Sequence, residues 1–175
     1  GALTSGKDVI VNTDIVEIDD ATFNGNGTSV TLAGVGNGSY GYMSFNPGNN
    51  ATVDVEDITI TGSGFVELGH HHGTEGVDRG DYTVNGLHVK DMTATLCVNE
   101  GGNNIAAAFT QYGKATLTDC VMTGTVSVKD GYKAYDAAFT NSTTTTISGG
   151  EYGNVYLSAQ AKVTITGAKV DTIDS

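Results

Sequence analysis

The residues best equipped for chemistry lie in one run, Gly69-His70-His71-His72-Gly73, followed by Glu75, Asp78, Arg79 and Asp81. Alternate histidines on an extended segment share a face, so this block has the donor types of a metal site. The simpler reading is a polar loop that tolerates three histidines. Arg79 is the sole arginine and stands between acidic residues, which suits a salt-bridged loop position better than a catalytic base. A second group is milder. Tyr40, Tyr42, Tyr132 and Tyr135 fall among Asn103, Asn104, Asp136 and other polar residues of expected loops. Tyrosine rings stack on sugars and Asn or Asp side chains hydrogen-bond hydroxyls, so these residues outline a shallow glycan- or protein-binding face. Their alternative role is to pack their own loops onto the scaffold.

Bulk composition narrows the partners. Eight basic residues against 20 acidic ones give a formal charge of -12, which repels nucleic acid and anionic lipid and suits an exposed protein that holds divalent cations. No apolar run is long enough to insert in a membrane. At 175 residues with 25 glycines and one proline, the chain reads as a single turn-rich domain spanning residues 1–175. Cys97 and Cys120 show neither CxxC nor zinc spacing and read as small hydrophobes, with pairing left open.

The elements that must position these residues announce themselves by repetition. Ile18, Val55, Val84, Leu117, Ile147 and Ile165 each open a copy of one short phrase. Two places on come Asp20, Asp57, Gly86, Asp119, Gly149 and Gly167; three further on come Phe23, Ile60, Val89, Met122, Tyr152 and Val170. Period-two alternation predicts a strand pointing its opening residue inward, and Asp or Gly predicts a corner with unusual backbone angles. Another two places on, Gly25, Gly62, Asp91, Gly124, Asn154 and Thr172 predict a second turn. "FVEL" (65–68), "TLCV" (95–98), "TVSV" (125–128) and "NVYL" (154–157) predict the side that follows. "NNIAAAFTQYG" aligns at an offset of 30 with a strand-like segment, so it too reads as strand.

Copies begin 37, 29, 33, 30 and 18 residues apart, too irregular for helical repeats or propellers but suited to stacked strands whose corners carry loops. The extra residues fall at 36–50, 69–80, 99–107 and 129–137, which predicts one lateral surface. The repeat, apolar-x-(Asp/Gly/Asn)-x-x-apolar-x-Gly, resembles that of the right-handed parallel β-helices of the pectate-lyase-like superfamily. This resemblance implies an all-β, right-handed parallel β-helix, a β-solenoid of about six coils with inserted lateral loops. The last copy stops at Ser175 with a bare edge, which leads to the expectation of a fragment flanked by further coils of a longer parent.

That superfamily includes lyases, glycoside hydrolases, phage tailspikes and surface adhesins, so fold alone does not name the activity. Its polygalacturonase-type members carry Asn-Thr-Asp, Asp-Asp, Gly-His-Gly and Arg-x-Lys motifs. Here Asn12-Thr13-Asp14 and Asp19-Asp20 fall in one coil, the histidines fall past the corner, and Arg79 precedes Gly80-Asp81. Calcium is the cofactor that lyase chemistry would need, and the corner column of Asp20, Asp57 and Asp119 is where it could bind. Arg79-Gly80-Asp81 also matches the tripeptide displayed by integrin ligands, although Asp81 is placed to open a strand. The outward Thr83, Thr116, Thr146 and Thr164 resemble the arrays of ice-binding solenoids, interrupted here by Glu17 and Asp54. The expectation is a non-catalytic, adhesin-type module at the cell surface or outside the cell, binding a glycan or a host surface protein. Tyr40, Tyr42, His70, His71, His72, Arg79, Asn103, Asn104, Tyr132, Tyr135 and Asp136 are the expected ligand contacts. A polysaccharide-active enzyme using the His and acidic loops, and a structural stalk spacer, are the competing readings.

Overall fold

The computed structural model describes residues 1–34, 41–48, 50–69, 79–93, 96–100 (backbone only), 103–124, 130–140 and 143–175. After a short 3-10 turn, Ala2–Thr4, come fifteen described strands. They are β1 (Asp8–Val11), β2 (Ile15–Ile18), β3 (Thr22–Leu32), β4 (Gly41–Phe45), β5 (Thr52–Leu68), β6 (Asp81–Thr93), β7 (Leu96–Glu100) and β8 (Asn103–Gln111). There follow β9 (Lys114–Thr118), β10 (Val121–Thr123), β11 (Lys133–Phe139), β12 (Thr144–Ser148), β13 (Glu151–Leu157), β14 (Lys162–Thr166) and β15 (Lys169–Asp174). No helix among the described residues is long and apolar enough to cross a membrane.

The pairing is parallel almost throughout and forms three ladders. In the first, Phe23, Val55, Val84, Leu117, Ile147 and Ile165 stand in register. The second aligns Val9, Val30, Ile60, Val89, Met122, Tyr152 and Val170. The third aligns Val16, Met43, Val66, Phe109, Ala137, Val155 and Ile173. Pairing passes from β5 through β8, β11, β13, β10 and β6 back to β5, so the parallel sheet closes around an axis. Alternation turns these columns inward, where they merge into one apolar core.

The corners follow the expected chemistry. Asp57, Gly86, Asp119, Gly149 and Gly167 all adopt left-handed φ, between 51° and 69°. Asp and Gly are among the few residues that enter this region readily. At Gly149 there is a steric reason as well, because the Asp119 carboxylate leans to where a Cβ would stand. Gly62, Asp91 and Gly124 adopt left-handed φ at the second corner.

Four expectations change. The first copy is not Ile18-x-Asp20: Ile18 pairs with Phe45 in the third ladder, while Phe23 takes the opening column and Asn26, at φ 53°, takes the corner. A bulge between Asn24 and Thr28 breaks the period there and let an equally alternating strand, β2, stand in for it. The outward column therefore begins with Thr22, not Glu17, and only Asp54 interrupts its threonines. "TLCV" enters β7, which pairs antiparallel with β8 as a hairpin instead of joining the parallel stack. Alternation predicts a strand but carries no information on direction. Asn154 and Thr172 sit inside strands, with Thr172 Oγ1 donating to Asn154 Oδ1 at 2.7 Å, and make no turn. "TVSV" lies outside the described residues.

Candidate functional site

Chain length between ladders is distributed unevenly. The first corner takes one or two residues at each level from β5 onward, whereas 33–40, 69–80, 94–102 and 124–132 all border strands of the third ladder. That side is thus the lateral surface the sequence marks out. Three of the expected loops fall partly on strands: 36–50 contains β4, 99–107 holds the end of β7 and the start of β8, and 129–137 holds the start of β11.

From β4 to β13 the third ladder is buried on both faces. Its outward column, Ser44, Glu67, Thr110, Ala138 and Tyr156, is shielded by the same chain, and Glu67 is only 1% exposed. Outside the main core, Ile105, Ala107, Tyr135, Ala138 and Tyr156 form a small second apolar cluster under the hairpin side. A strand sealed on both faces reads as the run of apolar and small residues seen in "NNIAAAFTQ".

Around this cluster the structure gathers several expected ligand residues. Asn103 and Asn104 are exposed at the start of β8, and Asn103 Nδ2 donates to Tyr156 Oη at 3.4 Å. Tyr132 is half-buried just before β11. Tyr135, only 4% exposed, stacks obliquely on Tyr156 and donates its hydroxyl to the Asp174 carboxylate. Burial first, then the hydrogen bond to Asp174 and its charge, push the Tyr135 phenol well above its ordinary value. The same hydrogen bond, helped by the Ser175 N–H, holds the Asp174 carboxyl below its usual range. Asp136 is buried too and accepts from the Asn154 N–H at 2.7 Å. The Tyr135 ring is therefore closed to a stacking sugar, and Asp136 ties β11 to β13. Tyr156, missed in the sequence, is the ring that joins this group; "NVYL" marked only the side that follows the corner.

The remaining expected contacts are dispersed. Tyr42, half-buried, stacks on Phe65 with ring centroids 4.8 Å apart and planes 12° from parallel. The Arg79 guanidinium lies over the Tyr112 ring, 5.6 Å from its centroid, a cation–π contact that fastens its segment to the scaffold. Asp81 opens β6 between Thr52 and Lys114, so Arg79-Gly80-Asp81 is no free loop tip. Tyr40, His70, His71 and His72 lie outside the described residues.

Polar groups elsewhere serve the core. Tyr82 Oη donates to the Phe45 carbonyl at 2.5 Å, and burial raises its phenol pKa. Gln111, inside the barrel, donates to Thr145 Oγ1 at 2.6 Å and to the Gly113 carbonyl at 2.8 Å. Cys120 is a free buried thiol pushed up to about 11 by burial, which makes it a poor nucleophile. Among the described residues no three His, Cys, Asp or Glu side chains gather at metal-binding distance. Comparison of the chain with protein-family models, curated proteins and solved structures returned no match.

Proposed function

We propose that the chain is a right-handed parallel β-helix of about six coils, of the pectate-lyase-like kind, acting as a non-catalytic binding module outside the cell or on its surface. Its ligand is a glycan or a host surface protein, taken up along the third-ladder side. The observation that carries this reading is the asymmetry of the corners: tight turns on one edge, and every long interval beside one ladder. Solenoids place recognition where loops leave a rigid stack. Exposed Asn103 and Asn104, the Tyr156 hydroxyl and half-buried Tyr132 supply hydrogen bonding there. A glycan-array screen with and without calcium, with the same samples checked for new reducing or unsaturated ends, tests it. Binding that weakens stepwise in Asn103→Ala, Asn104→Ala and Tyr132→Ala without cleavage supports it; cleavage replaces it with the enzyme reading.

A structural spacer is the second reading. It is favoured by the internal engagement of Arg79, Tyr135 and Asp136, three of the expected contacts. Silence on both glycan and protein arrays would favour it.

A further inference from the structure

Asparagine is a labile residue, and most so before glycine, whose backbone nitrogen no Cβ shields. The chain holds four such pairs: Asn24-Gly25, Asn26-Gly27, Asn37-Gly38 and Asn85-Gly86. Asn37 and Gly38 lie outside the described residues. Of the other three, the fold clamps two and leaves one open. We propose that Asn26-Gly27 is a self-modifying site, converted without an enzyme to aspartate and isoaspartate through a cyclic imide.

The clamped pairs are held by ladders. Asn85 stands opposite Glu56 on one side and Thr118 on the other, and Gly86 is half-buried at the corner. Asn24 stands opposite Glu56, donates from Nδ2 to Glu56 Oε2 at 3.1 Å, and accepts at Oδ1 from the Asn26 N–H at 2.9 Å. Gly25 is buried, and a Cβ there would stand 2.4 Å from the Asp57 carbonyl oxygen, so this backbone has no room to turn. Asn26 and Gly27 differ on each count. Both fall in the bulge between Asn24 and Thr28, where neither has an opposite residue in the β3–β5 register, and both are exposed. Around the place of a Gly27 Cβ, the nearest atom beyond its chain neighbours is Asp57 Oδ2, at 4.0 Å. The Asn26 amide is tied by Nδ2 donating to the Thr4 carbonyl at 3.1 Å, an exposed contact. Asp57 and Asp119, at inner levels of the same corner, are exposed as well, so this openness belongs to the corner and not to an end of the stack.

In the first step the Gly27 backbone nitrogen attacks Asn26 Cγ. The N–Cγ bond forms, the Cγ–Nδ2 bond breaks, and Nδ2 leaves as ammonia with the proton given up by the Gly27 N–H. Water then opens the imide at either carbonyl, which gives aspartate or isoaspartate. The balance needs only water. The corner already suits the first product, because Asp57 and Asp119 hold it at φ 54° and 51°, beside 53° for Asn26. The isoaspartate form threads the backbone through the side chain and adds an atom to the corner. Either product sets a new negative charge near Asp57.

Incubation of the folded chain in mildly alkaline buffer, followed by chymotryptic mapping, tests the proposal. Cleavage after Phe23 and Leu32 isolates residues 24–32, and cleavage after Tyr82 and Leu87 isolates 83–87. Fragmentation should place the amide-to-acid mass gain on Asn26, at a rate at least about tenfold above that of Asn24 or Asn85. Isoaspartate at position 26 should accept a methyl group from an isoaspartyl methyltransferase. In urea, where the ladders are lost, the three rates should converge. Asn26→Gly, which the corner tolerates as at Gly86 and Gly149, should abolish the signal and leave the fold intact. An Asn26 that stays whole in the folded chain while converting in urea overturns the proposal. Equal rates at Asn26 and Asn85 in the folded chain overturn it too.

Discussion

At the scale of single residues, the hydrogen bond from Tyr135 to Asp174 joins positions 39 apart in the chain and tethers the last strand to β11. The Asp174 carboxyl is held below its unfolded value, so its contribution is present above the ordinary carboxylate pKa of about 4 and is lost as pH falls through the folded value. Tyr135→Phe should therefore lower the melting temperature at neutral pH, and the gap to the parent should close progressively below about pH 4. Thermal unfolding of both chains across that range checks it; a gap that stays constant to low pH would remove the carboxylate from the account. Nothing local marked Tyr135 as buried. It stands among Lys133, Asp136 and other polar residues, and only the distant Asp174 and Tyr156 decide its surroundings.

For the strands and corners, left-handed positions come in two kinds. At Asp57, φ is 54° and the side chain has room, so Asp57→Gly should stay within about 1 kcal/mol of the parent. At Gly62, φ is 107° and an added Cβ would stand 2.2 Å from the Leu32 carbonyl oxygen, a backbone atom that cannot swing aside. Gly62→Ala should lose more than about 2 kcal/mol, from steric strain as well as conformation. Urea unfolding of the two variants should separate them clearly. The first corner was legible from β5 onward and the second only at Gly62, Asp91 and Gly124, where Asp and Gly declare a local backbone need; Asn154 and Thr172 lie inside strands instead. The slipped first copy was not legible, since β2 alternates as convincingly as the true opening strand and the bulge at Asn24–Thr28 hides the period. The β7–β8 hairpin was missed for a related reason: alternation is the same in either strand direction.

Across the molecule, stability should be graded along the axis, because each level touches only its neighbours. Leu117, fully buried in the middle of its column, should cost about 2–5 kcal/mol on truncation to Ala. Ile165, half-buried at the end of that column, should cost less than half as much, in proportion to its smaller apolar burial. Equal losses in chemical denaturation would mean that stability is not graded along the axis. The sequence alone determined the all-β class, the parallel stacking of the repeated phrase and the left-handed corners. Those follow from the two-residue period and from backbone angles that only Gly, Asp and Asn enter readily. Only the tertiary structure decided which strand belongs to which side, that the third ladder is sealed on both faces from β4 to β13, and that Tyr135, Asp136 and Arg79 are taken up in contacts within the scaffold. Those outcomes depend on partners tens of residues away, and burial is a property of the assembled neighbours, which no local pattern encodes.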